Sequence, residues 1–253
     1  MQPLIIIGVA VIAAFFLAAL LNFRLLLYPL IPYRIPLAKA KPLHLAGNTL
    51  FISDLHLKNG KSFEFVTELR DFIGRKRVSN LVIVGDLFDS PTYALKVLSN
   101  PSLAALSNVL GLDGLPIEIF WVIGSPSHDP VSIGASETED GKLIILGQCA
   151  SITCNRVKIL AYHGHDLSAI GAFAHAWDRF ISKLSLERLW KKLANVDRAT
   201  WIVFGHTHIP GLDSEERVAN CGGWMAVPLL VRPSRTGIFL SQESDLPEIV
   251  QIA

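Results

Sequence analysis

Histidine and carboxylate residues fall in five short groups along the chain: Asp54-Leu55-His56, Gly85-Asp86-Leu87-Phe88-Asp89, Ser127-His128-Asp129, His163-Gly164-His165 and Gly205-His206-Thr207-His208. Together they offer imidazole nitrogens and carboxylate oxygens. That mixed donor set suits Mn²⁺, Fe or Zn²⁺ better than Mg²⁺ or Ca²⁺, which prefer oxygen alone. In Asp54-x-His56 and His206-x-His208 an extended backbone would point both side chains the same way, because alternate residues of a strand share a face. A single histidine after a strand usually means nothing. Five such groups in succession are a pattern, and the chemistry it points to is metal binding.

The elements that must position these groups are strands. Each group follows a short run rich in β-branched and aromatic residues, namely Leu50-Phe51-Ile52, Leu81-Val82-Ile83-Val84, Ile119-Phe120-Trp121-Val122-Ile123, Ile159-Leu160-Ala161-Tyr162 and Trp201-Ile202-Val203-Phe204. Such runs read as buried strands. In layered α/β proteins ligands bind beyond the carboxyl ends of the strands. Five strands are therefore expected to deliver their polar residues to one rim.

With these residues the chain resembles the calcineurin-like metallophosphoesterases, whose pattern is D-x-H, G-D-x-x-D, G-N-H-[DE], H and G-H-x-H. The resemblance runs from about Phe51 to Trp224. Its nearest flavour, from Phe-Ile-Ser-Asp-Leu-His-Leu, Gly-Asp-Leu-Phe-Asp and Gly-His-Thr-His, is the branch of the UDP-2,3-diacylglucosamine hydrolases. It implies a four-layer α/β/β/α sandwich, an order of strands and helices followed by a tail of strands. It also implies that Asp54, His56 and His208 hold one ion, that Asp86 bridges to a second, and that His163 and His206 complete the second site. Two divalent ions, Mn²⁺ by preference, would then serve hydrolysis of a phosphate ester or pyrophosphate. By the same resemblance His128 protonates the leaving group or stabilises the transition state, with Asp89 and Asp129 orienting it. One departure stands out. The family's asparagine ligand falls at Ser127, with Ser125 as the alternative, and His165 competes with His163.

Composition bounds the partners. The chain has 253 residues, 51% of them hydrophobic, enough for one large core. A net charge of +1 and the lack of a strong basic tract argue against a nuclease acting on nucleic acid. The cysteines, Cys149, Cys154 and Cys221, lack zinc-site spacing, and only Cys149 with Cys154 offers a pairing, across a hairpin. Leu4 to Leu21 is apolar or glycine throughout, and no charged side chain precedes Arg24. About 20 such residues span a bilayer. The expectation is a membrane anchor over residues 1–27, a proline-rich connector over 28–47 and a phosphoesterase domain over 48–253. The basic flank after the span places the domain in the cytoplasm, as part of a single-pass membrane protein, and the anchor favours a lipid or nucleotide-linked substrate.

Within the domain, Phe63, Val66, Leu69, Phe72 and Ile73 recur at helical spacing, and 93–110 reads as helical. Residues 129–142 read as a rim loop. Residues 168–194 carry an apolar stripe through Phe173, Trp177, Phe180, Ile181, Leu184, Leu189 and Leu193 amid Arg and Lys. That stretch reads as an amphipathic helix or helix pair packed on the domain, with a lipid-touching cap as the sharper alternative. Segments near 217–220, 227–231, 237–240 and 248–252 read as strands of a second sheet. The rival to an enzyme is a scaffold that keeps the fold, but a scaffold has no use for clustered carboxylates.

Overall fold

The computed structural model describes residues 42–58, 65–97, 103–130, 135–137, 143–166, 171–225 and 232–253. The expected span over residues 4–21 lies outside them, as do most of the expected connector and the segment 227–231. Single-pass membrane localisation is corrected: among the described residues no helix is long and apolar enough to cross a membrane.

The strands are β1 (Leu43–Leu45), β2 (Asn48–Ile52), β3 (Val78–Val84), β4 (Glu118–Val122), β5 (Ala135–Glu137), β6 (Leu143–Gly147), β7 (Cys149–Cys154), β8 (Val157–Tyr162), β9 (Trp201–Phe204), β10 (Gly211–Asp213), β11 (Val218–Asn220), β12 (Thr236–Leu240) and β13 (Glu248–Gln251). The helices are α1 (Val66–Lys76), α2 (Pro91–Val97), α3 (Leu103–Leu110), α4 (Gly171–Phe180) and α5 (Ser185–Leu193). One sheet has seven strands in the order β13-β12-β2-β3-β4-β6-β5, and the other has six in the order β1-β7-β8-β9-β11-β10. Strands β2, β3, β4 and β6 run parallel, as do β8 and β9.

Alternation along the central strands sorts their side chains into layers. Leu50, Ile52, Leu81, Ile83, Ile119 and Trp121 face a core shared with Leu69, Phe72 and Ile73 of α1 and Leu106 and Leu110 of α3. Their neighbours Phe51, Val82, Val84, Phe120 and Val122 face the other way, against Ile159, Ala161, Trp201 and Val203 of the second sheet. Leu160, Tyr162, Ile202 and Phe204 then meet Ala174 of α4 and Leu186 and Trp190 of α5. Apolar runs buried on both faces are what a covered parallel sheet requires. The order of layers is helix, sheet, sheet, helix.

Five expectations are corrected. Strands β12 and β13 do not build the second sheet but join the first, with Ile238 paired to Phe51. Part of the expected rim loop is a strand, β5, paired antiparallel with β6. Cys149 and Cys154 sit at opposite ends of the same strand, β7, and all three cysteines are free and buried, so a hairpin pairing is excluded. In the 168–194 stretch Leu184 of the expected stripe is buried and Trp177 and Leu193 pack against the core beside Leu186 and Trp190, whereas Phe180 and Ile181 of the stripe lie 77% and 64% exposed. The stretch is a helix pair, α4 and α5, and the start of α5 at Ser185 resets the helical phase. Leu43–Leu45, within the stretch read as connector, pairs with β7 as an edge strand.

Candidate metal centre

Every sequence group lies just past a strand, as expected. Asp54 and His56 follow β2, Asp86 follows β3, and Ser125 and His128 follow β4, all in the seven-stranded sheet. His163 follows β8, and His206 and His208 follow β9, in the six-stranded sheet. The ladders continue into the loops: Asp54 N–H donates to Gly85 O at 3.2 Å, His56 N–H to Asp86 O at 3.1 Å, and Gly205 N–H to His163 O at 3.1 Å. Neighbouring ligand loops are therefore bonded to each other.

The local backbone differs from the extended form expected for D-x-H and H-x-H. Asp54, His56, Asp86, His206 and His208 all have positive φ, between 46° and 68°. For a residue with a side chain this left-handed form is uncommon, and it clusters at functional sites. Paired side chains point together because two left-handed residues flank one other residue, and not because a strand continues.

Two glycines allow the close approach of the loops. A Cβ on Gly85, whose φ is +79°, would lie 2.4 Å from the His163 ring, and one on Gly124 would lie 2.3 Å from Asp86.

Among the described residues three donor groups result, in each of which one ligand atom per residue lies within 4.8 Å of the others: Asp54 with His56 and His208, His56 with Asp86 and His128, and Asp86 with His163 and His206. Asp54 Oδ1 is 3.2 Å from His208 Nε2, and Asp86 Oδ2 is 3.2 Å from His163 Nε2. The two groups are tied together by the His206 N–H, which donates to Asp54 Oδ2 at 2.9 Å. Asp54 Oδ1, both ring nitrogens of His56, His163 Nε2 and His208 Nδ1 are buried with no hydrogen bond. Buried polar atoms without partners are rare and call for an explanation. Divalent cations in these two groups would supply one, and the residues present fit them.

The electrostatics agree. Burial raises the Asp54 carboxyl, yet His208 and His163 outweigh it and hold it below the usual carboxylate range. Burial likewise raises Asp86, and His163 again wins, holding it well below that range. Burial lowers His163, but Asp86 and Asp54 carry it up to about 10. His208 rises against burial because of Asp54. His56 and His206, for which burial dominates, fall to about 4. Two buried carboxylates thus stay ionised, with His163 held protonated beside Asp86, the place a cation takes.

The remaining expectations divide. Ser127 is exposed and its Oγ reaches only Ser125 Oγ, at 3.2 Å. It is Ser125 that meets the centre, with both its N–H and its hydroxyl donating to Asp86 Oδ1 at 2.7 Å. The reason is a turn: His128 and Asp129 N–H groups both donate to Ser125 O, which throws Pro126 and Ser127 outward. His163 belongs to a donor group and His165 to none, with His163 Nδ1–H donating to Val84 O at 2.9 Å. His128 Nδ1 donates to the backbone carbonyl of Asp89 at 3.1 Å, and its ring stands edge-on to His56 with centroids 4.5 Å apart. The Asp89 carboxylate is not the orienting group. It lies 4.0 Å from Lys58 Nζ, partly exposed. Asp129 is fully buried and accepts from Gly124 N–H at 2.7 Å and Phe88 N–H at 3.3 Å. It joins two ligand loops, and burial with the Asp86 charge pushes it up to about 7.

Sequence reasoning missed Glu187 and His175, which pack against the 205–208 loop beside Asn220 of the 220–224 stretch, itself similar to the family's loop after the last ligand. Glu187 sits in sequence beside Arg188, Lys191 and Lys192, and nothing in its residue type marks it as buried.

Similar solved structures include vacuolar protein sorting 29 from Cryptosporidium parvum, at 15% identity, covering 81% of this chain and 96% of that one with a TM-score of 0.47. The zinc complex of Vps29 from Entamoeba histolytica is 14% identical, covers 81% and 99%, and has a TM-score of 0.43. YfcE, a phosphoesterase from E. coli, is 15% identical, covers 81% and 100%, and has a TM-score of 0.40. A search of curated proteins finds no match. The family model for the calcineurin-like phosphoesterase superfamily domain matches residues 48–237, a span holding every donor described above, without reaching the narrower diacylglucosamine hydrolase branch. The chain therefore belongs to the calcineurin-like phosphoesterase superfamily.

Proposed function

We propose that the chain hydrolyses a phosphoester bond with the help of two divalent metal ions. The observation that carries this is the pair of donor groups, Asp54 with His56 and His208 and Asp86 with His163 and His206, buried side by side with nitrogen and oxygen atoms that lack hydrogen bonds. Bound there, the ions would supply Lewis acidity to the phosphoryl oxygens and lower the pKa of an attacking water.

The chain's own residues do the rest. Ser125 ties up Asp86 Oδ1 with two donors, which leaves Oδ2 turned toward His163 and toward His128, whose Nε2 is 4.0 Å away. The His128 Nδ1–H bond to Asp89 O fixes that ring and assigns Nε2 as the atom that passes a proton to the leaving oxygen. Asp129, by bonding the 86–89 and 124–129 loops together, keeps His128 beside Asp86. A scaffold that only keeps the fold is disfavoured, because it would leave two carboxylates and their imidazoles buried to no purpose.

The test is a panel of monoester, diester and pyrophosphate substrates assayed with added Mn²⁺, alongside Asp86→Asn. That substitution removes charge but little volume, so the fold should persist. Turnover should drop to background and bound metal should fall. Unchanged turnover in Asp86→Asn would refute the reading.

A further inference from the structure

The loop carrying His206 and His208 is gripped by a buried polar network that the metal chemistry does not use. Glu187 of α5 is fully buried, and its Oε1 accepts from Thr207 Oγ1 at 3.2 Å and from Asn220 Nδ2 at 2.8 Å. Asn220, at the end of β11, also donates to Gly205 O at 2.7 Å and to Thr207 Oγ1 at 3.0 Å. His175 of α4 donates from Nδ1 to Thr207 O at 2.8 Å. The loop is therefore held at Gly205 and at both the side chain and the backbone of Thr207.

A carboxyl group this deep needs its own partner. Glu187 Oε2 and Asp178 Oδ2, from α5 and α4, are both buried with no hydrogen bond. Asp178 uses its other oxygen at the start of α5, accepting from Ser185 Oγ at 3.2 Å and Leu186 N–H at 3.4 Å. Burial, and then the charge of Asp178 beside it, raise Glu187 well above the usual carboxyl range. One proton shared between the pair satisfies both lone oxygens and leaves Glu187 Oε1 free to accept.

The loop needs such a hold. His206 and His208 have φ of 68° and 58°, a left-handed form that persists for residues with side chains only where the surroundings enforce it. His206 belongs to the donor group of Asp86, and His208 to that of Asp54. A shift of this one loop would disturb both groups together.

We propose that Glu187 is a positioning residue for both metal sites, holding the His206 and His208 backbone through Thr207 and Asn220. This rests on the metal reading above. Removing an outer partner of a metal ligand typically costs about 10–100-fold in affinity.

The test uses the full chain, with Mn²⁺ titrated by calorimetry in the absence of any phosphoester and melting followed by circular dichroism. Glu187→Gln should bind Mn²⁺ as the parent does, because its amide oxygen accepts from Thr207 and Asn220 while its N–H₂ donates to Asp178. Glu187→Ala should weaken both ions by about 10–100-fold. Thr207→Val, which removes the hydroxyl and keeps the shape, should weaken both in the same direction, and it decides the matter should Glu187→Ala fail to fold. A purely structural role would lower the melting temperature without changing affinity in the folded protein. Unchanged Mn²⁺ affinity in Glu187→Ala or Thr207→Val, or loss of one ion only, overturns the proposal. A parent that binds Mn²⁺ but hydrolyses nothing would defeat the function reading alone, since here only affinity is read.

Discussion

Asp86 Oδ2 stands 3.2 Å from His163 Nε2, although the two residues follow strands of different sheets. The centre is a joint between the two halves of the sandwich. Asp54 and His208 repeat the arrangement, again at 3.2 Å and again across the two sheets. Of the three donor groups, these two draw on both sheets, whereas that of His56, Asp86 and His128 lies wholly on the seven-stranded one.

His128→Ala should reduce turnover by about 10²–10⁴-fold while metal content stays near that of the parent, because the ring is assigned to proton transfer. Esters with very good leaving groups should lose less. Metal analysis of the purified variant checks this, and loss of metal along with activity would make His128 a ligand.

Ser125→Ala and Ser127→Ala should behave differently. Ser125 is buried and gives Asp86 Oδ1 one of its two donors, so its loss removes a hydrogen bond to a charged group, worth roughly 1.5–3 kcal/mol. Weaker metal binding and slower hydrolysis are expected. Ser127 is exposed and should tolerate alanine on both counts. Equal effects of the two changes would remove the distinction between these serines.

Alanine at two glycines should act in opposite directions. In Gly124→Ala the new Cβ would fall 2.3 Å from the backbone nitrogen of Asp86, which cannot move aside without carrying the ligand with it. Destabilisation of about 1–3 kcal/mol is expected, with weakened metal binding. Gly74 lies inside α1 with nothing within 4 Å of an added Cβ, so Gly74→Ala should stabilise by about 0.5–1 kcal/mol. Thermal melts of the two variants and the parent measure both.

The pH dependence of stability should change in Glu187→Gln. The folded protein keeps the Glu187 proton well above the ordinary value of 4.5, because of burial and then Asp178. Asp178 is the charged group facing it, and His175 of α4 meets the same loop at Thr207. The stabilisation tied to that proton is whole below 4.5 and is lost as pH rises through the folded value. Glutamine has no such proton, so its melting temperature relative to the parent should climb between about pH 4.5 and pH 8. A constant difference across that range would mean that Glu187 titrates normally.

Much of this site could be read in the chain beforehand. The apolar runs before Asp54, Asp86, His163 and His206 are buried on both faces, so their strand character showed in composition alone. What escaped notice depends on the return path of the backbone. Left-handed φ at Asp54 or His208 leaves no mark in residue type, since aspartate and histidine serve equally in other conformations. Ser125 rather than Ser127 meets Asp86 because of a turn whose hydrogen bonds are all main-chain. The pairing of Ile238 with Phe51 links segments far apart in sequence, which local periodicity does not register. Glu187 looked solvated because its neighbours Arg188, Lys191 and Lys192 are cationic.

The place of β12 has a consequence for synthesis of the protein. Strand β2, whose end bears Asp54 and His56, has β3 on one side and β12 on the other, and β12 is supplied by residues 236–240. During translation at roughly 5–20 residues per second, β2 emerges early and must wait many seconds for that neighbour. Until then a flat apolar edge is open, the kind of surface on which unfinished chains stick to one another. A ribosome-bound chain ending before Thr236 should be more prone to aggregation and chaperone capture than one that includes β12, whatever metals are present in the cell.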